Sequence, residues 1–113
     1  MRTIDEILDE KIKEVLNTGM KKVFSVDRQA GLFRGLVMAR NRALKKGWYP
    51  GDKTAIDNLK MLHEAVEKKY YSLMEVLDPY TFDLISPYMR GIVEALEYAR
   101  KIAENKEAEK NEV

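Results

Sequence analysis

The chain has 113 residues, of which 35% are charged and 45% hydrophobic, with a net charge of +1 and no cysteine. That length holds one domain with a real core, and the cysteine count excludes disulfides, thiolate metal sites and cysteine nucleophiles. Uncharged apolar runs span only a few residues, as in Leu36 to Ala39, which excludes a transmembrane helix.

Asp5 and Glu6, with no apolar stretch around them, argue against a signal peptide, so the expected location is cytoplasmic. A Lys- and Glu-rich composition with Gln29 as the single glutamine fits a thermophile. Charge is unevenly spread: residues 1–19 sum to −2, residues 20–60 to +7 and residues 61–113 to −4. A basic middle between acidic ends can face an acidic partner or the acidic ends of another copy.

In chain order, Thr3-Ile-Asp-Glu6 reads as a capping box. Ile4, Ile7, Leu8, Ile12, Val15 and Leu16 then recur at helical spacing, which predicts a first helix over about 4–18, with an Asp9–Lys13 pair and Gly19 as its end. Met20 to Phe24 is ambiguous. Ser25 or Asp27 caps a second helix that runs to about Lys46, with Leu32, Phe33, Leu36, Val37, Ala43 and Leu44 as its apolar arc. Gly47-Trp-Tyr-Pro-Gly-Asp52 is a turn by composition.

Asp52 or Thr54 then caps a helix over about 54–77, whose buried face is Ile56, Leu59, Leu62, Val66, Tyr70, Leu73, Met74 and Leu77. Asp78-Pro79 ends it, because a residue before proline disfavours the helical region. A short extra helical turn is expected near 79–85. Ser86-Pro87 then reads as a cap with proline at the first helical position of a last main helix, reaching about Asn105.

No segment alternates with period two. The expected fold is all-α: four main helices in a bundle or helical-hairpin array, in a single domain over 1–105. Residues 106–113 form a charged tail expected to be disordered.

Two stretches place a small residue at every fourth position, and so on one helix face: Gly31, Gly35, Ala39 and Ala43, then Gly91, Ala95, Ala99 and Ala103. Mid-helix glycine costs roughly 1 kcal/mol relative to alanine, so some close contact must offset it. Packing of the two helices inside one chain is favoured over assembly between copies. The stretches also align as a weak repeat, Gly35 with Gly91, which chance explains better than duplication.

Arg28, Arg34, Arg42, Lys45 and Lys46 gather on one side of the second helix and are candidate phosphate contacts, with backbone at Gly31 and Gly35 lying between the charges. A solvated polar face is the plainer explanation. Arg40 falls within the apolar arc and must either pair with a carboxylate or extend to the rim. His63, the single histidine, lies at the edge of an apolar face and reads as structural rather than as a metal ligand or base.

Tyr70, Tyr71, Tyr80, Phe82 and Tyr88 crowd together. Tyr71, Tyr80 and Phe82 are the candidate interface aromatics, set against a role as a lid over the core. No phosphate-cradling loop or nucleophile–base pattern is present, so no enzyme and no cofactor is expected. The leading expectation is a non-enzymatic helical assembly module, a homo-oligomer or a small subunit of a larger complex, whose partner is itself or another protein and not a membrane. The alternative is a non-specific nucleic-acid-binding protein.

Overall fold

A computed structural model describes residues 1–18 and 26–104. The readings of Gly19, of Met20 to Phe24, of Ser25 and of the 106–113 tail lie outside the described residues. Four helices pack together with no strand among the described residues: α1 (Ile4–Thr18), α2 (Val26–Lys46), α3 (Lys53–Val76) and α4 (Pro79–Glu104). The fold is an all-α bundle.

The start of α1 is set by reciprocal bonds. Thr3 N–H donates to Glu6 Oε1 at 3.2 Å, and Glu6 N–H points at Thr3 Oγ1 at 3.4 Å. The Thr3 hydroxyl also donates to the same carboxylate at 2.8 Å, which holds the Glu6 carboxyl below its ordinary range. A further orphan donor, Ile4 N–H, is met by the carbonyl of Trp48 at 2.9 Å. That bond ties α1 to the loop after α2.

This loop closes one end of the molecule. Gly47 and Gly51 take positive φ of 66° and 94°, a region that disfavours side chains. Trp48 and Pro50 are buried there, and Gly51 N–H donates to Ala103 O at 2.7 Å. Asp52 stands at the N-cap position of α3 but makes no side-chain cap bond. Its carboxylate instead accepts from Tyr49 N–H at 2.9 Å, so it shapes the turn rather than capping the helix.

The expectation of a separate turn near 79–85, followed by a cap at Ser86-Pro87, is corrected. Helix α4 starts at Pro79, and Pro87 lies inside it. Asp78 is the cap: its carboxylate accepts from Thr81 N–H at 2.9 Å and from the Thr81 hydroxyl at 2.7 Å. Proline at the first helical position needs no N–H partner. Pro87 withholds one helical hydrogen bond, at a typical cost of about 3 kcal/mol. Packing against α3 offsets that cost, with Tyr70 and Phe82 rings 5.4 Å apart and the Tyr70 hydroxyl 3.1 Å from the Ser86 hydroxyl.

Helices α2 and α4 form the most extensive contact, and they run in the same direction: Gly31 lies beside Tyr88, and Gly35 beside Ile92 and Ala95. In an up-down-up-down chain these two are the diagonal pair. Here they touch directly, while α1 packs mainly on α2 and α3 on α4. The core is Ile4, Leu8 and Ile12 of α1, Leu36, Ala39 and Ala43 of α2, Ala55 and Leu59 of α3, Ile92, Ala95, Leu96, Ala99 and Ala103 of α4, and Trp48.

The expected apolar arc of α2 is corrected in part. Phe33 and Leu44 are exposed at 37% and 55%, because α2 presents its small-residue face to α4 and its large apolar side chains fall outside that seam. On α3, Met74 is exposed, while Ala55 and His63, which the expected face omitted, are buried.

Candidate interaction surfaces

All eight small residues lie at zero exposure or in the buried class, along the line where α2 meets α4. A Cβ added at Gly91 would sit 2.6 Å from Leu32 N, and one at Gly35 would sit 2.6 Å from the Ala95 Cβ and 2.8 Å from Ile92 O. One added at Gly31 would overlap the Tyr88 carbonyl. These are backbone-to-backbone approaches that only glycine permits. Gly31 stands opposite Gly91, one helical turn away from the register that aligns the two sequences best.

The five basic residues of α2 do not form a uniform free patch. Arg28 bonds Glu94 of α4, with Nη2 at 2.8 Å and Nε at 3.2 Å from the same carboxylate oxygen. Arg42 donates to Asn58 Oδ1 of α3 at 2.9 Å. Arg34, Lys45 and Lys46 are exposed and have no ion-pair partner among the described residues. Arg42, Lys45 and Lys46 border an open hollow of about 430 Å³ with Met38, Asn41 and Asn58. Gly31 and Gly35 lie under α4, so their backbone is not available to a phosphate.

Arg40 reaches from α2 to α1, where its Nε lies 3.3 Å from Asp9 Oδ1. Asp9 therefore faces Arg40 rather than Lys13. The Arg40 Nε is buried without a well-aligned acceptor, while its side chain keeps 30% exposure. The guanidinium is both paired and extended to the rim.

His63 is 6% exposed between α3 and α4. Arg100 Nη1 lies 3.4 Å from its Nδ1, which makes Nδ1 the acceptor, and its buried Nε2 lies 3.9 Å from Glu67 Oε2. Arg100 continues to Glu104 at 3.2 Å. This chain of polar groups clamps α3 to α4 near the middle of the hairpin. Glu67, at i+4 on the same helix, is within reach by spacing alone, but the link across to α4 carried no signal in sequence, because Arg100 lies 37 residues away.

The aromatics separate. Phe82 is half-buried against Tyr70, while Tyr71 and Tyr80 are exposed at 56% and 75%. From Glu64 to Arg90, no residue is buried. This is the outer part of the α3–α4 hairpin; most of it runs past the first residue of α2, while Tyr88 lies beside Gly31, and its surface has two faces. Tyr70, Tyr71 and Met74 line an open groove of about 610 Å³ with Arg28, Arg90 and three glutamates. By helical position, Leu73 and Val76 of α3 and Leu84, Ile85 and Tyr88 of α4 lie on the other side. Val76, Tyr80, Leu84 and Tyr88 are exposed at 76%, 75%, 59% and 37%. Tyr80 is among the candidates read from the sequence; Val76 and Leu84, which are exposed as well, are not.

No helix among the described residues is long and apolar enough to cross a membrane. Compared with protein-family models, with curated proteins and with solved structures, the chain matches none.

Proposed function

We propose that the protein is a non-enzymatic helical assembly module that associates with itself through the end of its α3–α4 hairpin. The observation that carries this reading is the run from Glu64 to Arg90, rich in large apolar side chains and without one buried residue. Single exposed apolar residues are ordinary on a monomer, but a contiguous set of aromatic and aliphatic groups on one element marks a contact surface. The small-residue seam is already used inside the chain, so association falls to other surfaces.

Sedimentation velocity over a wide concentration range tests the reading. The expected result is a mass above that of the monomer, rising with concentration. A chain that stays monomeric at every concentration would end it.

Phosphate binding by Arg34, Arg42, Lys45 and Lys46 is the second reading, supported by the hollow that the last three line at the end of α2, with Arg34 exposed outside it. It is the weaker one. The hollow lies at a helix C-terminus, whose dipole already favours lysines and disfavours anions. Titration of labelled single- and double-stranded DNA at low salt tests it, with binding lost on Arg34→Glu and Lys45→Glu together.

A further inference from the structure

We infer that the occupant of the bare hairpin end is the same end of a second copy, the two packed antiparallel, back face to back face, as an intermolecular four-helix bundle. This rests on the assembly reading above and specifies its surface and its symmetry. The back face is the one opposite the Tyr71–Met74–Arg90 groove, and it carries Val76, Leu84 and Tyr88, with Tyr80 at its edge.

Three observations select a second copy. The first is shape. The back face of α4 is the continuation of the face that binds α2, and among the described residues no helix covers it beyond the level of Val26, where α2 begins. A helix lying there finds the same kind of seat that α2 occupies. Turned antiparallel, each hairpin end fills the length the other leaves bare, and its tip reaches the start of the partner's α2. A two-fold needs such a self-complementary patch.

The second is area. Exposures of 76%, 75%, 59% and 37% at Val76, Tyr80, Leu84 and Tyr88 leave on the order of 500 Å² on these four groups, taking ~200 Å² for a whole side chain. Two copies then bury about 1,000 Å² in total before Leu73 and Ile85 are added, the lower edge of specific interfaces. The dimer is therefore one that dissociates on dilution.

The third is charge. Lys69 is the charged residue that helical position puts on the back face of this stretch, and it has no ion-pair partner among the described residues. Tyr70 stands beside Ser86, which places Lys69 at the level where α2 begins. The antiparallel overlap brings it to the tip, beside Asp78 of the partner subunit.

The test uses the full chain and its lack of cysteine. Leu84→Cys introduces a single thiol on the back face and Tyr71→Cys one on the opposite groove. With a short bismaleimide, Leu84→Cys is expected to yield covalent dimer at concentrations where the parent chain is dimeric, and Tyr71→Cys little. Leu84→Glu should return the chain to monomer with its helical circular dichroism and melting temperature kept, and Lys69→Glu should weaken the dimer severalfold. An oligomer that survives Leu84→Glu, or in which Tyr71→Cys crosslinks and Leu84→Cys does not, overturns this interface but leaves self-association standing. A monomer at every concentration overturns both.

Discussion

Helix α4 carries two contrasting regions. From Gly91 to Ala103 its outer face is built of glycine and alanine and is buried against α2. From Pro79 to Tyr88 it carries tyrosine and leucine, and these stay exposed. On this face the half with the smaller side chains is the buried one. Burial here follows the neighbour available, not the size of the side chain. Small residues let two backbones meet, and the contact is made of many short van der Waals approaches. Large residues past the reach of α2 have no such neighbour among the described residues.

The greatest expected effect attacks the seam. Gly35→Leu must displace Ala95 and the Ile92 carbonyl, so it should destabilise by about 3 kcal/mol or more, by analogy with severe overpacking of cores. Thermal melting checks it. The opposite region should not respond in this way. Tyr80→Glu, at 75% exposure, should shift stability by no more than about 0.5 kcal/mol, while weakening association. A large loss of melting temperature in that variant would mean the hairpin end is core after all.

Pro87→Ala restores an N–H inside α4 and should stabilise by about 1 kcal/mol, less than the full proline penalty because the surroundings are already adapted to the ring. Asp9→Asn should cost at most about 1 kcal/mol, an amount that shrinks with added salt, since its pair with Arg40 is partly exposed. Chemical denaturation at two ionic strengths measures both.

A pH-dependent effect lies at the hairpin tip. Thr81 donates twice to Asp78 and holds its carboxyl below the ordinary value. A depressed carboxyl pKa gives stability that is present above the unfolded value and lost as pH falls through the folded one. Asp78→Ala should therefore lower the melting temperature at neutral pH, and the difference from the parent chain should vanish in acid.

Local signals were legible where neighbours in sequence decide the outcome. The capping box at Thr3 and Glu6 and the bounds of α1 follow from adjacent residues, as do the turn at Gly47 to Asp52 and the all-α class. Asp78-Pro79 was legible too, but as a stop. The same pair is an N-cap followed by proline at the first helical position, and only the packing of Phe82 and Ser86 on Tyr70 chooses the second meaning. Arg40 was visible as an anomaly, yet its partner Asp9 comes from another helix. The five basic residues looked alike in sequence. Glu94 and Asn58, far away along the chain, take up two of them.

The sequence by itself determined the all-α class and the bounds of α1, since spacing, caps and breakers act within a turn or two of the chain, but not the start of α4. It also marked two faces for close contact, because glycine inside a helix needs an offsetting approach. The tertiary structure alone decided what each face meets. It put Gly31 opposite Gly91 rather than Gly35 opposite Gly91, since register depends on how two whole surfaces fit. It also set the first residue of α2, Val26, beyond the first turns of α4, so that among the described residues no helix packs over Tyr80 and Leu84 as α2 packs over Gly91.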